Sequence, residues 1–208
     1  MTRALPMSEK LHGRDGEHLV TVRLITLRDE TAWAATRLAN REWLAPWEAS
    51  APGPTPSGSF RGWVRAQRRQ DRAGESVPLV IEFDGRFVGQ VSVSGVQRGS
   101  LLNASVGYWV SREVAGRGIT PLAVAMTADF LFRDWGLHRV EINIRPENTA
   151  SLRVVDKLGF RDEGVRLAYM HIAGAWADHR SFALTAPEVP DGVVQRLRDR
   201  TSTWVPDF

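Results

Sequence analysis

Hydrophobic and polar residues alternate along the chain with two different periods, and each period predicts a kind of element. Runs in which every second residue is apolar, or which are rich in β-branched residues, predict strands. These runs cover residues 19–27, 77–83, 86–96, 102–112, 138–146, 164–174 and 175–185. Apolar residues spaced three and four apart predict helices. These segments cover residues 30–40, 60–74, 120–135, 147–160 and 190–200.

Turn and capping residues mark where several of these elements begin and end. Asp84 and Gly85 form a type I′ turn pair, so the strands on either side of them are predicted to form a hairpin. Gly174 marks a turn between the last two strands. Asp29 is placed to cap the helix that follows it, and Gly159 is placed as the C′ residue of the helix before it.

The order of the elements predicts a mixed α+β fold. A mostly antiparallel sheet of about seven strands would carry four to five helices. The helix at 120–135 connects two strands as a crossover, so these strands are expected to run parallel in the middle of the sheet. We divide the chain into an irregular lead-in (1–16), one domain (17–186) and a C-terminal helix with a tail (187–208).

Composition narrows the class of protein. Hydrophobic residues make up 43% of the 208 residues and charged residues 25%, which is typical of one soluble domain. The chain has no cysteine, so disulfides, thiolate metal sites and cysteine nucleophiles are excluded. No apolar run reaches the ~18 residues of a membrane span, and the N-terminus lacks the apolar core of a signal peptide. We therefore expect a cytoplasmic protein that binds no membrane.

The charge balance and the motifs argue against nucleic-acid binding, a metal site and an acyl-enzyme mechanism. Lys and Arg number 27 against 24 Asp and Glu, for a formal net charge of +3. This balance predicts no dedicated surface for nucleic acid. The five histidines are dispersed, so no metal site is expected. No G-x-S-x-G elbow is present, so an acyl-enzyme mechanism is not expected.

A glycine pair interrupts the pattern before the helix at 120–135. Gly116 and Gly118 flank Arg117. Glycines let a backbone approach a ligand, and a helix N-terminus offers unpaired N–H groups, so this loop is a candidate phosphate cradle. A P-loop motif is absent, and Pro121 stands where a dinucleotide-binding motif needs its third glycine. A tight strand-to-helix turn without a ligand is the alternative interpretation.

Four segments around this loop, taken in order, resemble the GNAT acetyltransferases of the RimJ/RimL type, which acetylate the N-termini of ribosomal proteins. The segments are NREWLAPWE (40–48), VGYWVSREVAGRG (106–118), HRVEINIRPENTASLRVVDKLGF (138–160) and GAWADHRSFAL (174–184). The resemblance covers roughly residues 20–186. It implies the GNAT fold with a splayed parallel pair, acetyl-CoA as cosubstrate, a primary amine as acceptor, and a monomer or homodimer.

The resemblance also implies which residues bind acetyl-CoA. The family loop [QR]-x-x-G-x-[GA] departs here at its first and last positions, and Pro121 has no N–H to donate. The pyrophosphate is expected on the backbone of Ala115, Gly116, Arg117, Gly118, Ile119 and Thr120. The pantetheine arm is expected along Trp109 and Val110, and the Val110 amide is the candidate donor to the thioester oxygen.

Two residues match the family pattern N-x-x-[SN] that follows the second central strand. Asn148 is expected either to bond the pantetheine or to cap its own helix. Ser151 is the candidate general acid for the leaving thiolate. The alternative for Ser151 is a hydrogen bond within its own helical turn.

The acceptor side is predicted in the same way. Trp43 and Trp47 are expected beside the acceptor channel, with core packing as the alternative. Tyr169 and Asp178 are further candidate substrate-binding residues, near His171 and His179, whereas Tyr108 is expected to pack in the core.

The acceptor amine must lose a proton to react. An α-amino group has a pKa of about 7.7–8.0, so a weak base suffices to remove this proton. Glu75 is the first candidate base and Glu82 the second, with a solvated surface charge as the alternative for each.

Three functions stay open at this point. The leading hypothesis is an N-terminal acetyltransferase of the RimJ type, acting on a ribosomal protein that begins with alanine. The second is an acetyltransferase for a small amine such as an aminoglycoside or polyamine. The third is a non-catalytic protein that binds acyl-CoA.

Overall fold

The computed structural model of the protein describes residues 10–53 and 58–202. The described residues form one eight-stranded sheet and six helices. The strands are β1 (Leu11–Asp15), β2 (His18–Leu24), β3 (Val77–Phe83), β4 (Arg86–Gln97), β5 (Asn103–Val110), β6 (Arg139–Ile144), β7 (Arg161–Ile172) and β8 (Ala175–Thr185). The helices are α1 (Glu30–Ala39), α2 (Arg41–Leu44), α3 (Phe60–Ala73), α4 (Ile119–Arg133), α5 (Thr149–Leu158) and α6 (Val193–Ser202).

The sheet has the predicted mixed topology. Its strand order is β1-β2-β3-β4-β5-β6-β8-β7. Neighbouring strands run antiparallel except β5 and β6, which are parallel and lie in the interior of the sheet. The α+β fold with one central parallel pair is therefore confirmed, with eight strands instead of about seven.

The additional strand is β1, which lies within the segment predicted to be an irregular lead-in. Its five residues pair antiparallel with β2. Gly13 packs its backbone on α4, because a Cβ there would stand 2.9 Å from the Met126 sulfur. Leu11 is the one large apolar residue of β1, so the hydrophobic pattern gives no strand signal there. Part of the predicted lead-in (1–9), a short segment rich in proline (54–57) and part of the predicted tail (203–208) lie outside the described residues.

The hairpin and the helix stop are confirmed by backbone geometry. Asp84 and Gly85 have φ angles of 49° and 78°, as a type I′ turn requires at both central positions. Gly159 has a φ of 70° and its N–H donates to the Asp156 carbonyl. This is the left-handed C′ position for which glycine is preferred.

Asp29 lies at the predicted N-cap position of α1, but its side chain bonds elsewhere. Its carboxylate accepts hydrogen bonds from the Thr26 N–H at 2.7 Å and from both terminal nitrogens of Arg23 at 2.7 and 2.9 Å. The Asp29 side chain makes no capping bond to α1. Arg23 also binds Glu82, with its Nε 2.8 Å from Oε1. The three side chains form an ion-pair group that ties β2 and β3 to the start of α1.

Helices cover both faces of the sheet. On one face α4 lies in the main core, and most of its side chains are buried. On the other face a smaller cluster holds α1 and α3 against β3, around Val64 and Val80. Within the described residues, no helix is both long enough and apolar enough to cross a membrane.

An ion-pair network joins side chains of β6 and β7 across the intervening strand β8. Glu163 accepts hydrogen bonds from Arg139 and Arg161. These bonds, led by the one from Arg139, lower the pKa of Glu163 to about 2. A carboxylate whose pKa is depressed on folding stabilises the protein above its unfolded pKa, and this contribution is lost as the pH falls towards the folded value.

Solvent screens these exposed ion pairs, so we expect Glu163→Gln to lower the free energy of unfolding by only about 1 kcal/mol near pH 7. The difference from wild type should shrink steadily between about pH 5 and pH 2, because the wild-type carboxylate becomes protonated there. Urea unfolding at several pH values measures this. A difference that stays constant down to the lowest pH would show that the ion pairs do not cause it.

Candidate active site

A gap opens in the sheet where β5 and β6 separate. The two strands pair only from Asn103 opposite Arg139 to Ser105 opposite Glu141. β5 continues to Val110 beyond this point, but the ladder to β6 does not. Because no other strand fills the gap, it leaves backbone groups of β5 without a sheet partner. A cleft of about 460 Å³ runs from this gap to the glycine loop. The predicted splayed pair is thus present.

The glycine loop faces this cleft. Gly116 and Gly118 have φ angles of 81° and 80°, which L side chains rarely adopt. Both glycines line the cleft. Among the described residues, no hydrogen-bond partner is found for the backbone N–H groups from 116 to 120. The Ala115 N–H, in contrast, donates to the Arg112 carbonyl. The loop therefore offers the open set of backbone donors that an anion requires.

Close packing is a second reason why position 118 requires glycine. A Cβ at this position would stand 2.8 Å from Oδ2 of Asp15, the last residue of β1. At Gly116 a Cβ would meet nothing within 4 Å. The first glycine of the loop is therefore set by its backbone angles alone, and the second also by close packing.

The backbone of Val110 points into the gap. The Ser111 N–H donates to the Val88 carbonyl at 2.7 Å, so residues 88 and 111 form a hydrogen-bonded pair. Such pairs alternate along an antiparallel ladder, so Val110, which pairs with Gly89, turns its N–H and C=O away from β4. The Trp43 indole accordingly donates to the Val110 carbonyl at 3.1 Å. The Val110 amide has the direction that an oxyanion donor needs.

A pair of hydroxyl groups lies across the gap. The Ser151 hydroxyl on α5 donates to the Tyr108 hydroxyl on β5 at 2.8 Å. The Tyr108 hydroxyl is in turn 3.4 Å from the Ser151 carbonyl. Burial raises the pKa of Tyr108 well above its usual value, so the phenol stays protonated. Ser151 therefore bonds beyond its own helical turn, and both residues line the cleft.

Asn148 caps α5. Its side-chain oxygen accepts a hydrogen bond from the Ser151 N–H at 3.0 Å. Of the two roles considered for Asn148, the structure shows the capping one. Arg153 and Lys157, on later turns of α5, also line the cleft and add positive charge to it.

A second, smaller cavity of about 260 Å³ adjoins the cleft. The two share four lining residues, namely Leu44, Trp47, Tyr108 and Trp109. The second cavity adds an ion pair between Arg37 and Glu48. The Arg37 guanidinium also lies over the rings of Trp33 and Trp109, at 5.3 and 5.6 Å. A cationic amine entering here would meet one carboxylate and aromatic walls, at the side of the gap opposite the glycine loop.

Trp43 and Trp47 thus lie at the cleft and are not core residues. Asn40, at the end of α1, holds this segment against the strand that precedes the loop. Its side-chain oxygen accepts a hydrogen bond from the Arg112 N–H at 2.8 Å, and its amide donates to the Ser111 hydroxyl at 3.1 Å. The acceptor-side tryptophans and the glycine loop are therefore positioned by one buried side chain.

The structure does not bring Glu75 to this site. Glu75 is exposed and lines a different cavity. Its carbonyl accepts from Val96, whereas Val91 is the β4 residue opposite Tyr108. Five residues of strand separate these positions, or roughly 16 Å. Glu82 is bound to Arg23, so its charge is already neutralised.

Tyr169 and Asp178 also lie away from the cleft. The Arg166 guanidinium lies over the Tyr169 ring at 4.9 Å. The Asp178 carboxylate accepts from the Ala168 N–H at 2.7 Å, within an irregular stretch of the β7–β8 hairpin. The two histidines nearby also have local partners, Ser50 for His171 and the Ala177 carbonyl for His179.

Sequence reasoning missed three residues of the site. Tyr108 was assigned to the core, and Arg37 and Glu48 were not considered. Glu48 lies within the segment NREWLAPWE, directly after Trp47, so its proximity to the tryptophans was a usable signal. No local pattern indicates that the Tyr108 hydroxyl reaches α5, because 43 positions separate it from Ser151.

Comparison with known proteins decides the family. The family model described as "Acetyltransferase (GNAT) domain" matches residues 20–161. The chain belongs to the GNAT acetyltransferase family. The match begins in β2 and ends at the start of β7, so it contains the gap, the glycine loop and α5.

Three GNAT relatives are similar over different shares of their length. A solved structure of Mycobacterium smegmatis RimJ in complex with CoA-disulfide is 38% identical to this chain. The alignment covers 88% of this chain and 90% of that chain, and the two structures superimpose with a TM-score of 0.81. The ribosomal protein uS5 alanine N-acetyltransferase of Escherichia coli K12 is 30% identical, over 83% of this chain and 91% of its own. The probable N-acetyltransferase YjcK of Bacillus subtilis is 37% identical over 50% of this chain and 58% of its own. This GNAT protein is thus an N-acetyltransferase, similar to ribosomal-protein alanine acetyltransferases.

Proposed function

We propose that this GNAT protein transfers the acetyl group of acetyl-CoA to the N-terminal α-amino group of a protein, most specifically of a ribosomal protein that begins with alanine. The observation that carries the proposal is the junction of the two cavities at Trp47, Tyr108 and Trp109. One cavity offers anion donors and the other an amine site, and they meet at a hydroxyl pair. The names of the E. coli and M. smegmatis relatives support both the cosubstrate and the acceptor.

The cleft fits the chemistry of coenzyme A. Backbone N–H groups from 116 to 120 are free to bind a pyrophosphate, and the positive end of α4 lies behind them. Arg153 and Lys157 would meet a further phosphate. The unpaired edge of β5 offers the amide-bonding groups that the pantetheine arm needs. Acetyl-CoA, when bound, supplies a thioester that an amine nitrogen attacks.

The residues at the gap have distinct roles in this proposal. The Val110 N–H donates to the carbonyl oxygen as negative charge develops on it. The Tyr108–Ser151 pair provides the proton for the sulfur as the carbon–sulfur bond breaks. Tyr108, which lines both cavities, is the proposed terminal donor to the sulfur, and Ser151, the candidate general acid from the sequence, is its hydrogen-bond partner.

Glu48 replaces Glu75 as the proposed acceptor-side carboxylate. Glu48 binds the incoming ammonium group in the smaller cavity and accepts the proton that the nitrogen loses as it attacks the thioester, and Arg37 fixes the position of its carboxylate. The α-amino group has a pKa of about 7.7–8.0 against about 10.4 for lysine, so roughly a tenth of it is already neutral near pH 7, far more than of a lysine. A carboxylate that is paired with arginine is a weak base, which suits an α-amino acceptor better than a lysine.

Mass spectrometry of peptides incubated with the protein and acetyl-CoA tests this function. Peptides that begin with alanine should gain one acetyl group, and the same peptides with a blocked N-terminus and an internal lysine should gain none. Acetylation of spermidine or an aminoglycoside, without any peptide product, would instead establish a small-amine acetyltransferase. Binding of CoA without turnover of any acceptor would refute catalysis.

A further inference from the structure

Five arginines share the outer face of α3, a surface that the acetyltransferase site does not use. They are Arg61, Arg65, Arg68, Arg69 and Arg72. With 3.6 residues per turn, these positions fall within an arc of about 100°. All five are exposed. Asp71, the one acid of α3, lies on the inward side and is buried. We call this surface the α3 arginine face.

The charge of the α3 arginine face is almost uncompensated. Within the described residues its one ion pair joins Arg61 to Glu30, at 3.7 Å. The other four guanidinium groups make no ion pair or hydrogen bond there. On the sheet, by contrast, Arg139, Arg161 and Arg166 all bind carboxylates. The helix carries five arginines against one acid, the buried Asp71, so its exposed side is strongly positive.

The arrangement suits a linear chain of phosphates. Arg61, Arg65, Arg68 and Arg72 follow steps of three or four residues, so they form a line along the helix about 16 Å long. A guanidinium group binds a phosphate through two parallel N–H bonds. A stable protein–protein interface needs an apolar centre with anchoring aromatic residues. The α3 arginine face has none, because Phe60 and Trp63 pack inward against Trp33.

The α3 arginine face also lies on the acceptor side of the sheet. α3 packs against Trp33 of α1, and Arg37, one turn further along α1, lines the acceptor cavity. A polyanion held on α3 would therefore approach the same side of the molecule as the amine acceptor.

We propose that the α3 arginine face binds the sugar–phosphate backbone of RNA. The choice of RNA over DNA rests on the proposed function, because a ribosomal-protein acceptor is presented together with RNA. The balanced totals of acidic and basic residues predicted no nucleic-acid partner. Totals do not reveal that the basic residues of one helix share one side.

Fluorescence anisotropy with a labelled oligouridylate tests the proposal on the full chain. We expect binding by the wild type, weakened about 30-fold or more when Arg61, Arg65, Arg68 and Arg72 are all changed to Gln. The slope of log affinity against log salt concentration should fall in magnitude by about 3, since each phosphate contact on a single strand contributes about 0.7. Competition with duplex DNA and with polyglutamate, in separate arms, compares the three polyanions.

A matched control changes four other exposed arginines, namely Arg14, Arg28, Arg41 and Arg198, to Gln. It removes the same total charge and should weaken RNA binding less than about threefold. An equal loss in both quadruple variants would overturn the proposal, as would tighter binding of DNA or polyglutamate than of RNA.

Acetylation of peptides reports separately on the proposed function. If peptides are acetylated and oligouridylate does not bind, the RNA proposal fails alone. If oligouridylate binds but no peptide is acetylated, the acceptor assignment fails and the RNA surface stands.

Discussion

Tyr108→Phe is expected to lower kcat about 100-fold, while the KM for acetyl-CoA changes by less than about threefold. The substitution keeps the ring that lines both cavities and removes only the hydroxyl bonded to Ser151. Loss of that hydroxyl breaks the path by which a proton reaches the sulfur of the leaving group. Steady-state kinetics with an alanine-starting peptide measure both constants.

Ser151→Ala identifies which hydroxyl of the pair is the terminal donor. If Tyr108 is in contact with the sulfur and Ser151 positions it, Ser151→Ala should cost only about 10-fold in kcat. If Ser151 is the terminal donor, the order of the two effects reverses. Equal kcat values in wild type and Tyr108→Phe would remove the pair from the mechanism.

The pH profile gives an independent check of the same pair. Burial raises the pKa of Tyr108 above its ordinary value of about 10, and the protonated form is the one that donates. This form is lost only as the pH rises through the raised pKa. The kcat of the wild type should therefore not decline between about pH 7 and pH 10 through loss of the acid.

Glu48→Gln is expected to lower kcat/KM for an alanine-starting peptide about 30-fold, with the KM for acetyl-CoA unchanged within about twofold. The carboxylate lies in the smaller cavity beside Trp47, and the substitution removes its charge with little change in shape. The effect should be larger below about pH 7.5, where more of the acceptor is an ammonium ion that needs the carboxylate.

Glu42→Gln is the matched control for Glu48. Glu42 is an exposed residue of α2 and lines neither cavity. It should leave both kinetic constants within about twofold of wild type. Comparable losses in the two variants would mean that general charge, and not the amine site, explains the effect. A wild-type kcat/KM for Glu48→Gln would show that Glu48 is not the acceptor-side carboxylate.

Local patterns predicted the elements of this fold well, because each rests on short-range physics. The spacing of apolar residues located the helices, and Asp84, Gly85 and Gly159 marked turns that require positive φ angles. The strand β1 was missed because it is held by pairing with β2 and by contact with α4. Asp29 lies at the predicted N-cap position of α1 but makes no capping bond there, because Arg23 and Thr26 bind its carboxylate.

The site was predicted on its cosubstrate side and missed on its acceptor side. The loop from Ala115 to Thr120 is contiguous in sequence, so its glycines show it directly. The acceptor cavity is assembled from α1, the segment after α2, and β5, so no single stretch of sequence describes it. Glu75 was placed at the wrong end of β4 because the direction in which the cleft opens depends on where β5 and β6 separate, and this is a property of the whole sheet.

The Asp15 carboxylate at the end of β1 lies so close to Gly118 that no side chain would fit between them, so β1 packs against the glycine loop. Asp15 closes one side of the bend that presents the phosphate-binding amides. A protein shortened to begin at β2 would keep all the site residues named above and yet leave that bend unsupported. Preparations trimmed at this end should therefore bind coenzyme A less tightly than the intact chain, even where their catalytic side chains are unaltered.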